Sequence, residues 1–329
     1  MATRPSTTRL GIIGAGIMGE RMVRAAVEHA RDVVEVGPVW DAAPGAVARM
    51  GDVVAVRAGS AAEVIAGSDC VYVATPPGTH LAYAEQALAA GRAVFLEKPL
   101  ATDVAAAEAF AGRFDGERVG VNFPFASSFA VERLRGWLDE GVVGTAEGLA
   151  IRVAFRVWPR PWQQGAASWL DGAAEGGFTR EVVSHFLFLA RRLIGPLRLD
   201  GASVERVPGY SERGVAARLH AGAVPVTLEG GVGTTEADDH NTWTLSGTSS
   251  GTLPGHGAVR LRDWSFAERL VDGAWIADAD AAPNEKMRPL VLRRQLEGVV
   301  QMTRGEAHPL ATVAEALEVQ TVVEAMLHA

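Results

Sequence analysis

The first third of the chain alternates short apolar runs with segments of helical spacing. Apolar runs at residues 10–13, 70–74 and 93–96 predict buried strands. Weaker patterns predict further strands at residues 33–40, 53–56 and 119–121, the first of them broken by Gly37-Pro38. Helices are predicted at 21–29, 46–50, 61–66, 80–90 and 103–113. Thr102 is expected to cap the last of these helices. Strands that alternate with helices predict an α/β domain with a parallel sheet and right-handed crossovers.

After residue 122 the pattern changes to strands separated by turn residues, with few helices between them. Strands are predicted at 147–157, 202–207, 216–219, 224–230, 242–246, 259–261 and 275–276, and helices at 129–140, 181–193, 287–304 and 312–327. This order predicts a second, α+β domain with a large, open, mostly antiparallel sheet. We therefore expect a first domain at 1–124, a second at 125–305, and a C-terminal helix at 306–329 that packs back on the first.

Length and composition narrow the class of protein. At roughly 150 residues per domain, 329 residues fit two domains. The net charge is −8 and no basic stripe is present, which argues against a nucleic-acid partner. No apolar run approaches the roughly 18 residues of a membrane span, and residues 1–9 lack the apolar core of a secretory signal. The single cysteine, Cys70, sits in a strand pattern and is expected to pack. We expect a cytoplasmic protein that binds neither membrane nor nucleic acid.

A glycine-rich turn follows the first predicted strand and opens the first helix. It reads Gly14-Ala15-Gly16-Ile17-Met18-Gly19. In such a turn the first glycine permits the tight bend, the second lets a pyrophosphate approach the backbone, and the third lets the helix pack on the strand. The helix N-terminus then attracts the anion. This placement predicts a dinucleotide site.

Asp41 lies 22 residues after Gly19, at the end of the second predicted strand. A carboxylate there accepts a hydrogen bond from a ribose 2′-hydroxyl and repels a 2′-phosphate. The next residues, Ala42-Ala43-Pro44, supply no cation. The pattern favours NAD over NADP, with a turn-capping aspartate as the alternative.

Three titratable side chains are candidates for proton transfer or charge stabilisation. Lys98, in Glu97-Lys98-Pro99, follows a strand at the edge where parallel sheets bind ligands, although a surface lysine is the alternative. Glu181 and His185 are spaced i, i+4, which suggests a base with a carboxylate that orients it. The apolar neighbours of His185 also fit a buried core histidine.

The cluster Asp238-Asp239-His240 contains residue types that bind metals. No second group of ligands accompanies it, so we interpret it as a polar loop and expect no metal.

These motifs, in this order, resemble the glucose–fructose oxidoreductase and inositol dehydrogenase (Gfo/Idh/MocA) family over nearly the whole chain. The supporting stretches include GIIGAGIMG, VYVATPPGTH, GRAVFLEKPLATD, SWLDGAAEGG and EVVSH. The resemblance implies a Rossmann domain followed by an α+β domain whose open sheet forms a homo-oligomer, a dimer or tetramer. It also implies oxidation or reduction of a secondary alcohol/ketone pair with NAD or NADP.

The resemblance also assigns roles to residues of this chain. The catalytic positions would be Lys98, His185 and, in place of the family's aspartate, Glu181. The Lys98–Pro99 bond is expected to be cis, as it often is in the family. The cofactor-binding positions would be Gly14, Gly16, Ile17, Met18, Gly19, Asp41, Thr75, Pro76, Pro77, His80, Glu97, Lys98, Asn122 and Trp169.

Several positions depart from the family pattern toward apolar side chains. Phe188 replaces a second aspartate, Leu170 an arginine, and Phe123-Pro124 follow Asn122 where arginine is common. Arg180 adds a cation beside Glu181. Because unpaired hydroxyls are costly to bury, we expect a partly apolar or carboxylate-bearing substrate rather than a simple hexose or inositol. The expected substrate-binding residues are Phe123, Trp158, Trp162 and Arg180.

The sequence therefore predicts an NAD(P)-dependent oxidoreductase acting on a small-molecule alcohol or ketone, such as a sugar derivative. Reduction of an imine or aldehyde on the same scaffold is an alternative. Another alternative is an oxidoreductase that keeps its cofactor tightly bound and recycles it in place. From a different class, a dinucleotide-binding sensor or scaffold without turnover also fits the glycine turn.

Overall fold

The computed structural model describes residues 7–249 and 255–329, which form two compact units. The first unit comprises Met1–Ser127 and Arg288–Leu317, and the second comprises Ser128–Met287 and Glu318–Ala329. This division differs from the expected one. Residues 288–305 belong to the first unit, and the last twelve residues belong to the second.

The first unit contains the predicted parallel sheet, in the order β2-β1-β3-β4-β5. All of its described strand pairs are parallel. The strands are β1 (Thr8–Ile13), β2 (Val34–Trp40), β3 (Cys70–Val73), β4 (Ala93–Leu96) and β5 (Val119–Val121). The helices between them are α1 (Ile17–His29), α2 (Ala61–Ala66), α3 (His80–Ala89) and α4 (Val104–Phe114), with a short 3-10 turn at Val47–Met50. The strand order reverses between β1 and β3, which in open α/β sheets marks the ligand crevice.

Three local expectations in this unit need correction. β2 continues through Gly37-Pro38 with a register shift, because it is an edge strand and the proline needs no ladder donor there. Residues 53–56 are not a strand, since the amides of Val53 and Val54 donate to the carbonyl of Met50 in a turn. The N-cap of α4 is Asp103, whose carboxylate accepts from the amide of Ala105, and not Thr102.

The second unit contains eight described strands in the order β13-β12-β11-β10-β6-β9-β8-β7. All neighbours are antiparallel except β6 and β9, which are parallel. The strands are β6 (Thr145–Phe155), β7 (Leu197–Arg206), β8 (Glu212–Ala221), β9 (Val224–Val232), β10 (Asp239–Ser249), β11 (Gly255–Arg262), β12 (Phe266–Val271) and β13 (Ala274–Ala277). Most are longer than predicted, and β12 was missed because Phe266–Val271 mixes polar and apolar residues without strict alternation.

The remaining helices are α5 (Phe129–Asp139), α6 (Ala167–Leu170), α7 (Ser184–Leu193), α8 (Asn284–Thr303) and α9 (Val313–Leu327). Leu292, Leu296 and Val299, one face of α8, are buried in the core of the first unit. This packing explains why the chain returns to the first unit after the second sheet.

The core of the first unit also contains Cys70, which is fully buried. Burial raises the pKa of its thiol to about 12, so it is protonated and unreactive at neutral pH. The packing role predicted for this residue is confirmed. No described helix is both long and apolar enough to cross a membrane.

Candidate active site

The glycine turn lies at the carboxyl end of β1, and its three glycines have different surroundings. Gly14 has φ +108°, and an added Cβ would lie 2.5 Å from the carbonyl carbon and oxygen of Ala74. A Cβ on Gly19 would lie 1.9 Å from the carbonyl oxygen of Gly14. A Cβ on Gly16 would meet no described atom within 4 Å. Protein packing therefore requires the first and third glycines, whereas the second faces open space at the N-terminus of α1. An anion such as a pyrophosphate fits this cradle.

Asp41 follows β2 directly and caps the glycine turn. Its Oδ2 accepts from the amide of Ala15 at 2.6 Å, and its Oδ1 accepts from the amide of Ala43 at 2.7 Å. The turn-capping alternative is thus present in the structure. It does not compete with ribose binding, because a carboxylate has about four acceptor positions and two are used.

Arg49 is a cation near this turn that the sequence reasoning missed. Its Nη2 lies 3.5 Å from the carbonyl oxygen of Ala15, and the residue is exposed. Arg49 lies in the short helical turn Val47–Met50, eight residues after Asp41. It is therefore not among residues 42–44, the neighbours of the carboxylate in which the sequence argument looked for a cation.

The Thr75-Pro76-Pro77 loop follows β3 and is held by His80. The ring of His80 is only 1% exposed. Its Nε2 lies 2.7 Å from the carbonyl oxygen of Thr75 and its Nδ1 lies 2.8 Å from that of Pro99. Both partners are acceptors, so only the doubly protonated ring satisfies both contacts. His80 ties the loop after β3 to the loop after β4.

A buried polar network supports Glu97 at the end of β4. Tyr72 Oη donates to Glu97 Oε1, and Asn122 Nδ2 donates to the same oxygen at 2.6 Å. Gln295 Nε2, from α8, donates to Asn122 Oδ1 at 2.6 Å, which turns the amide group of Asn122 toward the carboxylate. Tyr72, Asn122 and Gln295 are each at most 1% exposed.

Burial and the Glu97 carboxylate raise the pKa of Tyr72 well above its ordinary value, so its hydroxyl stays a donor. Lys98 follows Glu97 immediately, and the Lys98–Pro99 bond is cis, as the resemblance implied. Tyr72 and Gln295 were missed because a tyrosine inside a strand and a glutamine inside a helix carry no local motif.

In the second unit, Glu181 and His185 lie on consecutive turns. Glu181 is part of a π-helical turn, Thr179–Val183, and His185 lies in the first turn of α7. Such turns occur frequently at functional sites. His185 is 7% exposed, and its ring centroid lies 5.4 Å from that of Trp264. The helix of the sequence prediction is therefore real, but it begins with a π turn rather than a regular α-helical one.

Buried Glu212, from β8, anchors the start of this π turn. Its Oε1 accepts from the amide of Thr179 at 2.6 Å, and the residue is 3% exposed. Gly177 has φ +102°, and a Cβ there would lie 2.2 Å from Glu212 Oε2. A Cβ on Gly176 would lie 2.4 Å from the carbonyl oxygen of Trp169. The Gly-Gly pair therefore lets three segments converge where the helix of His185 begins.

We expect Gly177→Ala to lower the free energy of unfolding by more than about 2 kcal/mol, because the change adds backbone strain and displaces a buried carboxylate. Urea denaturation measures this effect. Gly148→Ala is the matched control, since a Cβ at Gly148 meets no described atom within 4 Å. Equal stabilities of the two variants would contradict the assigned role of Gly177.

Arg180 is engaged by protein groups on all three guanidinium nitrogens. Nε and Nη2 donate to the carboxylate of Glu324 at 2.6 and 2.7 Å, and Nη1 donates to the carbonyl oxygen of Gly176 at 2.8 Å. Its side chain is 10% exposed. This arrangement favours a structural role for Arg180, which ties α9 to the loop before the π turn, over the expected role in binding substrate.

The expected aromatic substrate residues differ in their surroundings. Phe123 and Trp158 are at most 7% exposed, and Trp158 Nε1 donates to the carbonyl oxygen of Leu170 at 3.2 Å, which favours packing roles. Trp162 is 43% exposed, and the guanidinium of Arg160 lies 4.7 Å from its ring centroid. Trp169, in α6, is partly buried. Arg160 was missed, although its position in Trp-Pro-Arg-Pro-Trp is a visible signal.

The residues Asp238-Asp239-His240 make ion pairs with three different partners. Asp238 pairs with Arg156, Asp239 with Arg160 at 2.7 Å, and His240 with Asp263 at 3.0 Å. Among residues 7–249 and 255–329, no group of three or more potential ligands could hold a metal ion.

Comparison with known proteins agrees with this geometry. Residues 8–122 match the model of the oxidoreductase family with an NAD-binding Rossmann fold, Gfo/Idh/MocA. The first third of the chain therefore matches this family. The resemblance stated from the motifs is thereby confirmed, as is the fold: a parallel Rossmann-type sheet followed by a mostly antiparallel one.

A curated relative is inositol 2-dehydrogenase from Rhizobium meliloti (strain 1021), which is 29% identical over 194 residues. That match covers 57% of this chain and 56% of the relative, so the chain spans about half the length of such curated relatives.

Solved structures share the fold over nearly the full length. The WlbA dehydrogenase from Bordetella pertussis, in complex with NADH and UDP-GlcNAcA, has a TM-score of 0.76 at 20% identity and covers 98% of this chain and 96% of its own. A 3-ketoreductase from Actinomadura kijaniata, in complex with NADP and TDP-benzene, has a TM-score of 0.77 at 21% identity and covers 97% of each chain.

Proposed function

We propose that this protein is an NAD(P)-dependent oxidoreductase that transfers a hydride between the nicotinamide and a sugar-type alcohol or ketone. One observation carries the proposal. At the carboxyl edge of the parallel sheet, the open cradle at Gly16 and the loop that carries Lys98 follow β1 and β4, on either side of the strand-order reversal. Bound there, NAD(P) supplies the hydride acceptor or donor.

The residues that would hold the cofactor come from consecutive strand ends. Backbone amides around Gly16 would bind the pyrophosphate, and Asp41 would accept from the ribose. The loop at Thr75, kept in place by His80, would border the nicotinamide ribose. We also predict that the cofactor contacts Glu97, Asn122 and Trp169.

Side chains of the protein would transfer the proton and stabilise the charge on the reacting oxygen. Lys98 would stabilise negative charge on the substrate oxygen, because an ammonium group donates to an alkoxide more strongly than to an alcohol. His185 would accept the hydroxyl proton in oxidation and return it in reduction. Glu181, on the preceding π turn, would orient His185. The network around Glu97 would fix the backbone from which Lys98 extends.

The contacts of Arg180 and Trp162 support a revised proposal for the substrate. A carboxylate on the substrate is no longer required, since the cation proposed for it, Arg180, is bound to Glu324. Exposed Trp162 leaves an apolar surface beside Arg160, so we propose a neutral sugar-type substrate with an apolar substituent or ring face. Homo-oligomer formation through the second sheet and a cytoplasmic location stay predictions.

The choice between NAD and NADP depends on Asp41 and Arg49. We propose NAD, because Asp41 would repel a 2′-phosphate. Asp41→Ala should shift the ratio of the two dissociation constants toward NADP by about tenfold or more, since a hydrogen bond to a charged group is worth about 1.5–3 kcal/mol. Calorimetric titration of both cofactors measures the ratio.

The double variant Asp41→Ala, Arg49→Ala is the matched comparison. We expect it to lose the affinity for NADP that Asp41→Ala gains, because Arg49 is the nearby cation that could bind the 2′-phosphate. An unchanged ratio in Asp41→Ala would contradict the assignment of Asp41 to the ribose.

The test of the proposed function is nicotinamide absorbance with cofactor-free protein and a panel of cyclic polyols, sugars and keto sugars, in both directions. Aldehydes and imines belong in the panel, because turnover of these alone would favour the alternative reductase. Nicotinamide absorbance in freshly purified protein would indicate a tightly held, recycled cofactor. If the protein binds the cofactor but turns over none of these substrate classes, the result would favour a dinucleotide-binding sensor without catalytic activity.

A further inference from the structure

Trp264 contacts the predicted proton-transfer residue although it lies far from it in sequence. Its ring centroid is 5.4 Å from that of His185, with an interplanar angle of 73°, and 5.4 Å from that of Phe186. The edge-to-face geometry is one that aromatic pairs prefer. Trp264 lies in the turn between β11 and β12, so the second sheet supplies this contact.

The backbone of this turn is strained. Asp263 has φ +46° and Trp264 has φ +72°, so two consecutive residues other than glycine occupy the left-handed region. This conformation is uncommon, and it is least expected for a bulky side chain. Glycine or asparagine would adopt it more readily. Such strain persists only where the surroundings hold it in place, and it clusters at functional sites.

Several hydrogen bonds hold the turn. Asp263 and Asn241 are linked twice: the amide of Asp263 donates to the carbonyl of Asn241 at 2.9 Å, and the amide of Asn241 donates to Asp263 Oδ1 at 3.1 Å. Arg262 Nη1 donates to Asp263 Oδ2 at 3.0 Å. Ser265 Oγ donates to the carbonyl of Ala282 at 2.7 Å. The turn is therefore fixed on both sides of the indole.

Core packing alone does not account for this arrangement. Trp243, on the neighbouring strand β10, is fully buried in regular backbone. Trp264 is only partly buried, yet it occupies a strained position. Its strained position places the indole against the rings of both His185 and Phe186, and His185 is the one of the two that can transfer a proton.

We propose that Trp264 is a positioning residue, which confines the imidazole of His185 to the orientation needed for proton transfer. This inference rests on the proposed function of His185. Loss of the indole should lower kcat by roughly 2- to 10-fold, the range that the energy of one edge-to-face aromatic pair corresponds to, with KM and cofactor affinity nearly unchanged.

The test compares Trp264→Leu with Trp264→Phe and with Trp275→Leu. Trp275, in β13, contacts the guanidinium of Arg260 and serves as the control for removal of an indole from the same sheet. We expect Trp264→Leu to lower kcat, Trp264→Phe to retain most of it, and Trp275→Leu to match the wild type. Urea denaturation of all three variants separates loss of stability from loss of kcat.

A second readout needs no substrate. The chain has eight histidines, so the ring resonances of His185 can be assigned by NMR through their loss in His185→Asn. Removal of the indole ring current in Trp264→Leu should shift those resonances, whereas Trp275→Leu should leave them in place. Unmoved resonances, or wild-type kcat in Trp264→Leu, would overturn the proposal. Wild-type activity of His185→Asn would instead overturn the proposed role of His185.

Discussion

Replacing Lys98 with methionine is expected to lower kcat by about a thousandfold, the range that a positioned proton-transfer or charge-stabilising group contributes. Cofactor affinity should fall far less than kcat, because the main proposed function of the ammonium is at the substrate oxygen, although the resemblance also places Lys98 beside the cofactor. Steady-state kinetics and calorimetric titration of the same preparation measure both quantities.

The basic residues of the chain give this prediction a matched control. Of 31 lysines and arginines, only Lys98 and Lys286 are lysines, and the other 29 are arginines. Where this protein has a surface cation, it almost always has arginine, which weakens the interpretation of Lys98 as a surface lysine. Lys286 is exposed at the start of α8, so Lys286→Met should retain wild-type kcat.

Lys98→Arg adds a second comparison. Arginine keeps the charge but replaces a compact ammonium with a planar fork that stays protonated, so it should restore little activity. Full activity of Lys98→Met would remove Lys98 from the reaction.

The second large effect is expected in the glycine turn, where two substitutions separate binding from folding. Gly16→Ala should weaken cofactor binding by at least about tenfold, because the added methyl group occupies the space in which the pyrophosphate approaches the backbone. Its melting temperature without cofactor should match the wild type. The backbone of Gly16 (φ −77°, ψ −167°) suits alanine, and no described atom lies within 4 Å of the added Cβ.

Gly19→Ala should instead lower the melting temperature without cofactor, since its Cβ would lie 1.9 Å from a backbone oxygen. Thermal unfolding with and without NAD distinguishes the two variants. If Gly16→Ala binds NAD as tightly as the wild type, the pyrophosphate does not lie at this turn.

The sequence could predict the parts of the protein that depend on local patterns. The alternation of strands and helices and the spacing of Gly14, Gly16 and Gly19 depend on neighbouring residues. The structure confirms the alternation and the position of the glycine turn between β1 and α1. The start of α7 shows what local patterns cannot predict. Its π turn depends on Glu212 and Gly177, which meet only in the folded chain.

The same limit applies to the candidate site. Gln295 reaches Asn122 across 173 residues, and Trp264 reaches His185 across 79, so no spacing rule connects them. The expected substrate contact of Arg180 is disfavoured for a related reason. Its partner, Glu324, lies 144 residues away in α9, and local sequence does not show that the charge is already neutralised.

The most direct test of the central claim is nicotinamide absorbance for cofactor-free wild-type protein and Lys98→Met, measured side by side with NAD, NADP and their reduced forms against the sugar-type panel. We expect a substrate-dependent change in absorbance for the wild type and almost none for Lys98→Met, although both bind the cofactor. Folded wild-type protein that binds neither NAD nor NADP would contradict the proposed oxidoreductase function.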